Sequence, residues 1–95
     1  MTLYVAICLD APGALDRRMA ARENHLAYLR AQPAGFIKMA GPFLSEAGDP
    51  VGSLFVFEAE NVAAVDGYLA GDPYTAVDLF QSIEIRPWRV VVPWT

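Results

Sequence analysis

Short apolar runs separated by glycine, proline and acidic residues predict four β-strands. Residues 3–9 are apolar throughout, which is typical of a strand buried on both faces. Residues 36–40, 52–58 and 82–92 are rich in β-branched and aromatic side chains, and Gly41-Pro42 is expected to interrupt the second strand. A polar loop at residues 45–50 lies between strands two and three, so we predict that these strands form a hairpin.

Two longer segments have the spacing of amphipathic helices. Residues 14–30 follow a Pro12-Gly13 turn, and the Gln32-Pro33-Ala34-Gly35 sequence is expected to end this helix. Residues 62–70 follow Asn61, a preferred N-cap residue. A short helical turn through about residue 80 is predicted to begin at Asp72-Pro73, because aspartate and proline favour the first positions of a helix.

The predicted order of elements is β-α-β-β-α-β within residues 1–95. This is the ferredoxin-like α+β pattern, a four-stranded antiparallel sheet with two helices on one face. At this length the chain is expected to form a single domain.

Strands one and three are apolar on both faces, which leaves one face of the sheet without a cover. In strand three, Leu54 and Val56 point to one side, while Phe55 and Phe57 point to the other. An uncovered face of this kind would exceed the apolar patch usual on a monomer. We therefore expect a homodimer in which two copies pack sheet to sheet about a two-fold axis.

The composition excludes several classes of function. The formal net charge is −4, which argues against non-specific binding to nucleic acid or to an anionic membrane. One cysteine and one histidine cannot build a standard zinc site, and we expect no metal or other cofactor. No leader sequence or membrane-spanning run is apparent, so a cytoplasmic location is expected.

The first helix carries an unusual group of basic residues. A helical wheel predicts a core stripe formed by Leu15, Met19, Leu26 and Leu29. Arg22 falls inside this stripe, where a buried guanidinium would need carboxylates, carbonyls or a ligand anion. His25 lies at the edge of the stripe. Arg18 lies on the same edge and is expected to be solvated. This arrangement predicts a small polar site.

Three motifs carry a resemblance to a known family. They are Arg-x-x-His-Leu-x-Tyr-Leu at residues 22–29, Ala40-Gly41-Pro42, and Asp72-Pro73-Tyr74. In this order, and across essentially the whole chain, they resemble the YciI-like (YCII-related) family. The resemblance implies the dimeric α+β barrel fold that muconolactone isomerases and small antibiotic-biosynthesis monooxygenases also use. It implies a histidine and an aspartate at an enzymatic site, and these roles correspond to His25 and Asp72. One family relative is a dehydrochlorinase acting on a chlorinated hydroxyquinol.

Each candidate site residue has a functional and a structural interpretation. His25 could act as a general acid or base, or could simply bond a backbone carbonyl at the helix edge. Asp72 could orient His25 and stabilise its imidazolium, or could only cap a helix, and one carboxylate could do both. Arg22 could hold a substrate carboxylate or phenolate, or could form an internal ion pair with Asp72 or Glu84.

Three further residues are candidates for contact with a substrate. Gly41 and Pro42 could let a ligand reach the sheet edge, or could only form a kink that ends the strand. Tyr74 could also contact the substrate, although it is more typical of a core or interface, as are Tyr28, Trp88 and Trp94.

Two functions follow from these interpretations. The first is a small cofactor-independent enzyme that moves a proton on a small aromatic or enolisable acid, by isomerisation, elimination or dehydrohalogenation. The second is a non-catalytic dimeric module that binds a small ligand or a protein partner.

Overall fold

The computed structural model describes residues 1–93 and contains the predicted α+β arrangement. The elements, in chain order, are β1 (Thr2–Asp10), α1 (Leu15–Arg30), β2 (Ile37–Leu44), β3 (Pro50–Ala59), α2 (Val62–Gly71), α3 (Pro73–Ala76) and β4 (Phe80–Trp88). The ferredoxin-like prediction is confirmed. The predicted helical turn is present as α3 but ends at Ala76, and β4 begins and ends earlier than the predicted strand at residues 82–92. Trp94, which was expected in the core or at an interface, lies outside the described residues.

The four strands form one antiparallel sheet in the order β2-β3-β1-β4. β1 is a central strand, which agrees with its continuous apolar sequence. β2 and β3 form the predicted hairpin. The strand prolines Pro42 and Pro87 both lie in edge strands, where a missing N–H group is tolerated.

The expected interruption of the second strand at Gly41-Pro42 is wrong. β2 continues to Leu44, and Gly41 and Pro42 pair with Leu54 and Ser53 of β3. An edge strand needs hydrogen bonds on one side only, so proline does not end it. Gly41 and Pro42 therefore lie within a paired edge strand, and the interpretation as a kink that ends the strand is wrong.

The helices cover one face of the sheet and form the core with it. Phe55 and Phe57 of β3 are fully buried there and pack with Val65, Tyr68 and Leu69 of α2. Leu54 and Val56 point to the opposite face, as the alternation along a strand requires. Within residues 1–93, the helices fall short of the length and apolar character needed to span a bilayer.

The side of α1 that faces the interior differs from the predicted stripe. Its buried residues are Arg18, Ala21 and His25, whereas Met19 is 52% exposed. A helical wheel identifies a buried side mainly by its large apolar side chains, so it does not single out Ala21. The actual buried side combines a small residue, which allows close approach, with two polar side chains that find partners elsewhere in the fold.

Candidate functional site

His25 and Asp72 lie together beneath the helices. His25 Nδ1 is 2.9 Å from Oδ1 and 3.0 Å from Oδ2 of Asp72. Asp72 is 0% exposed and His25 is 7% exposed, so little water competes for this contact. His25 reaches the carboxylate from α1, while Asp72 stands at the junction of α2 and α3. The helix-edge interpretation of His25, with its ring bonded to a backbone carbonyl, does not describe this geometry.

Asp72 is a helix cap and the partner of His25 at the same time. Oδ1 accepts a hydrogen bond from the backbone N–H of Tyr74 at 2.9 Å, which caps α3. Oδ2 accepts a hydrogen bond from the Tyr68 hydroxyl, also at 2.9 Å. These two donors and the imidazole satisfy a carboxylate that would otherwise be costly to bury.

The surroundings of Asp72 fix which ring nitrogen of His25 carries the proton in the neutral imidazole. An ionised carboxylate can only accept hydrogen bonds, so Nδ1 must be the donor towards Asp72. Nε2 is then left with its lone pair. Within the part of the chain that the structure describes, Nε2 has no hydrogen-bond partner. This arrangement leaves Nε2 free to accept a proton from a ligand.

A second buried pair, which sequence reasoning missed, lies beside the first. Arg18 Nε donates to Oδ2 of Asp10 at 2.7 Å, and Arg18 Nη2 donates to Oδ1 of Asp10 at 3.0 Å and to Ser53 Oγ at 2.8 Å. The expectation of a solvated Arg18 is wrong, since the residue is only 4% exposed. Burial alone would lower the pKa of Arg18, but the hydrogen bonds and charge of Asp10 raise it above its usual value.

Tyr74 connects the two pairs. Its ring stacks on the imidazole of His25 with centroids 3.9 Å apart, and the guanidinium carbon of Arg18 lies 4.6 Å from the centroid of the same ring. Tyr74 is 1% exposed, and burial raises the pKa of its hydroxyl, although the charges of Arg18 and Arg22 oppose that shift. The hydroxyl therefore remains a neutral donor at physiological pH.

His25 forms part of the wall of a cavity of about 480 Å³. The other lining residues are Arg18, Met19, Arg22, Leu26, Ala40, Gly41, Pro42, Leu44, Pro50, Ser53, Phe55 and Tyr74. The cavity thus brings together the predicted His25, Arg22, Gly41, Pro42 and Tyr74, with Asp72 directly behind His25. Among residues 1–93, its lining contains two arginines and no carboxylate, although the chain as a whole is acidic. A small, largely apolar anion fits this combination.

Arg22 does not have the buried position that the sequence analysis expected. It is exposed in the single chain and lines the cavity. Neither expected ion-pair partner contacts it, because Asp72 is engaged by His25, and Glu84 pairs with Arg86. Among residues 1–93, the salt bridges do not involve Arg22. The internal ion pair is therefore wrong for the described residues, and a guanidinium is left at the cavity.

Another cavity, of about 630 Å³, lies away from the two buried pairs. Its walls include the aromatic residues Tyr28, Phe36 and Tyr68, and its charged residues are Glu58 and Glu60. Of the residues that the structure describes, neither His25 nor an arginine lines it. Because its charge is negative and no pair of acid–base groups faces it, we assign the candidate site to the smaller cavity.

Comparison with known protein families and relatives gives one family. The model of the YCII-related domain matches residues 2–89. The chain is 33% identical to an uncharacterized protein of Haemophilus influenzae, in an alignment that covers 93% of this chain and 97% of that protein. It is 29% identical to the protein YciI of Escherichia coli, with 94% and 98% covered.

Solved structures with this fold include one of known activity. The 5-chloro-2-hydroxyhydroquinone dehydrochlorinase of Burkholderia phenoliruptrix, in complex with 2,5-dihydroxybenzoquinone, is 32% identical to this chain and has a TM-score of 0.85. The match covers 92% of this chain and 93% of that enzyme. An antibiotic biosynthesis monooxygenase, at 20% identity and a TM-score of 0.58 over 96% and 99% of the two chains, shows the shared fold alone.

Proposed function

The chain belongs to the YCII-related domain family, and we propose that it is a cofactor-independent enzyme that moves a proton on a small aromatic or enolisable acid. The reaction class is elimination, dehydrohalogenation or isomerisation. His25 is the general acid–base residue, and Asp72 orients it and stabilises its charged form. Arg22, with Gly41, Pro42 and Tyr74, holds the substrate.

One observation carries this proposal: His25 is held by a buried carboxylate through Nδ1 while it lines a cavity whose charged neighbours are arginines. A structural histidine would need neither the cavity nor the free Nε2. The dehydrochlorinase with 32% identity adds support, since the molecule bound in its structure is a quinone with two hydroxyl groups. Such a ring is small, flat and acidic, which suits the cavity described above.

The proposed chemistry follows from the positions of the donors and the base. The substrate ring lies against the apolar wall near Phe55, with its anionic oxygen towards the arginines. Nε2 of His25 accepts a proton, and Asp72 stabilises the resulting imidazolium. In a dehydrochlorination, His25 takes a hydroxyl proton and returns it to the ring carbon that carries chlorine, which forms a ketone tautomer. A second hydroxyl proton is then lost, and the carbon–chlorine bond breaks with its electron pair leaving as chloride. The substrate loses HCl overall, so no oxidant or reductant is required.

Release of chloride from 5-chloro-2-hydroxyhydroquinone tests the proposal. We expect the wild-type protein to release chloride and His25→Gln to lose about 10²–10⁴-fold in kcat, the usual contribution of general acid–base catalysis. Arg17→Gln is the matched control, because Arg17 also lies on α1 but bonds backbone carbonyls outside the cavity. The proposal fails if wild type and His25→Gln act equally on this compound and on non-halogenated enolisable ring acids. Tight binding of such acids without turnover would favour the alternative, a non-catalytic ligand-binding module.

We also propose a homodimer formed by the sheet face opposite the helices. Leu3, Val5, Ile7 and Leu54 are only half-buried on that face, so a second copy would remove these apolar side chains from water. Sedimentation equilibrium at micromolar concentration should give twice the chain mass, and Leu54→Asp should give monomer or aggregate. A stable wild-type monomer would contradict the proposal.

A further inference from the structure

We propose that Tyr68 is a positioning residue of the candidate site, whose hydroxyl fixes the carboxylate of Asp72 for His25. This inference deepens the proposed function and rests on it for the role of the His25–Asp72 pair. Tyr68 does not line the 480 Å³ cavity, so it acts through Asp72 and not on the substrate.

The hydrogen bonds of Asp72 divide evenly between its two oxygens. The Tyr74 N–H group holds Oδ1, and the Tyr68 hydroxyl holds Oδ2, each at 2.9 Å. His25 Nδ1 lies nearly equidistant from both oxygens. Two hydrogen bonds to different oxygens fix the plane of the carboxylate. Without the Tyr68 hydroxyl, one oxygen would have His25 as its single partner and the group could rotate.

The ring of Tyr68 is itself held firmly. It is 3% exposed and packs with its centroid 4.9 Å from the ring of Tyr28, 5.2 Å from Phe57 and 5.5 Å from Phe55. The hydroxyl therefore approaches Asp72 from a fixed direction, without a further loss of side-chain entropy. Burial, followed by the charge of Asp72, raises the pKa of Tyr68, so the phenol stays protonated and remains a donor.

Donation by Tyr68 also draws charge from the carboxylate that His25 contacts. The charge of Asp72 also reaches Cys8 of β1, Tyr28 of α1 and Tyr74 of α3, and it raises the pKa of each. The Cys8 thiol is neutral at physiological pH because burial raises its pKa to about 12. Tyr68 is thus the side-chain hydroxyl, among the described residues, that bonds Asp72 directly.

The test is an NMR titration of the imidazole in wild type, Tyr68→Phe and Tyr28→Phe. The chain has one histidine, so its ring resonances need no assignment. Tyr68→Phe removes a hydroxyl that bonds Asp72. Tyr28→Phe is the matched control, because it removes a hydroxyl from the same aromatic cluster that bonds the backbone oxygen of Tyr68 at 2.9 Å instead. Thermal melts and amide spectra verify that both variants are folded.

We expect the titration midpoint of the imidazole to rise by about half a unit to one unit in Tyr68→Phe and to stay in place in Tyr28→Phe. The reason is that a carboxylate with one donor fewer attracts the imidazolium more strongly. Equal midpoints in wild type and Tyr68→Phe, or equal shifts in both variants, would overturn the inference.

Chloride release provides the second readout. Tyr68→Phe should lower kcat about threefold to tenfold with KM unchanged, and an unchanged kcat would count against a positioning role. If wild type releases no chloride, the proposed activity on that substrate fails, whereas the NMR titration still decides whether Tyr68 controls the pair. The two failures are therefore distinguishable.

Discussion

Asp10 and Asp72 are the two buried carboxylates among residues 1–93, and each bonds a basic side chain of α1. Asp10 is bound by Arg18 through two nitrogens, while Asp72 is bound by a single nitrogen of His25. The two basic residues are seven positions apart, which places them on one side of the helix. The pairs resemble each other in burial and differ in what the basic group can do.

The difference lies in the chemistry of the two bases. A guanidinium has donors only and keeps its charge, so the Arg18–Asp10 pair has no second state at ordinary pH. An imidazole that donates through Nδ1 retains an acceptor at Nε2 and can gain a proton. A buried ion pair becomes a candidate for catalysis when its basic member can still accept a proton and lines a cavity, as His25 does. The Arg18–Asp10 pair thus keeps one protonation state, whereas the imidazole of the His25–Asp72 pair can exchange a proton.

The largest expected effect comes from breaking the supporting pair. Arg18→Met keeps the bulk of the side chain but leaves Asp10 buried without its charge partner. We expect a loss of about 3–5 kcal/mol in the free energy of unfolding, measured by urea denaturation. Arg22→Met, four residues along the same helix, should change stability by no more than about 0.5 kcal/mol, because Arg22 is exposed. Equal losses in the two variants would remove the distinction between these arginines.

The second prediction concerns the His25–Asp72 pair. Asp72→Asn keeps an oxygen for capping and removes the charge, so we expect a cost of about 1–2 kcal/mol in stability. Chloride release should nevertheless fall by at least about tenfold, because the imidazolium loses its stabilising charge. A variant that is strongly destabilised but fully active would reverse the proposed roles of the two pairs.

Alkaline pH provides a third test, because the charges of both pairs act on Cys8. Burial, followed by the charge of Asp72, raises the pKa of Cys8 from 9.0 to about 12. The raised folded-state pKa means that the contribution of Cys8 to stability is present below about pH 9 and is lost as pH rises towards 12. Unfolding measured between pH 8 and 10.5 should thus depend less on pH in Cys8→Ala than in wild type. In both proteins the raised pKa of Tyr68 also makes the free energy of unfolding fall as the pH rises.

The S–H Raman band of Cys8, followed as a function of pH, measures the pKa of the thiol. Its change in variants can separate the effects of the charges of the two pairs on that pKa. Arg18 lowers the pKa of Cys8 while Asp10 raises it, so their charges oppose each other there. Asp72→Asn should therefore lower the pKa of Cys8 more than the double variant Asp10→Asn/Arg18→Met does. The reverse order would mean that the charges of Arg18 and Asp10 do not cancel at Cys8.

The smallest expected effect is at an exposed ion pair. Nη2 of Arg86 lies 2.7 Å from Oε2 of Glu84 in β4, but the two side chains are 69% and 52% exposed. Measured in the monomeric chain, Arg86→Gln should change the free energy of unfolding by less than about 1 kcal/mol, and less still in 0.5 M salt. A loss as large as that of Arg18→Met would show that burial does not explain the strength of the Arg18–Asp10 pair.

Local patterns were sufficient to predict most of the fold. Glycine and proline punctuate the chain at the element boundaries, and Asn61 caps α2 as expected, accepting a hydrogen bond from the backbone N–H of Ala64. The error at Gly41-Pro42 arose because the cost of proline depends on whether a strand is central or at an edge. That position depends on the order of strands in the sheet, which a local pattern does not contain.

The candidate site was only partly predictable for a similar reason. His25 and Asp72 were named from motifs, but Arg18 was expected in solvent and Arg22 in the interior, the reverse of what the structure shows. The side of α1 that is buried depends on partners far away in sequence, namely Asp10, Ser53 and Asp72. A polar residue directly after an apolar strand, such as Asp10, was the available signal for the missed pair.

The central place of β1 has a consequence for how the chain folds. Leu3 pairs with Glu58 on one side and with Trp88 on the other, so the strand made first needs partners made much later. During synthesis, the α1 helix and the β2–β3 hairpin can form early. The four-stranded sheet cannot be completed until β4 has left the ribosome. Such non-local pairing slows folding and leaves an apolar strand exposed for longer. The interval before β4 emerges is therefore when the nascent chain is most prone to aggregate.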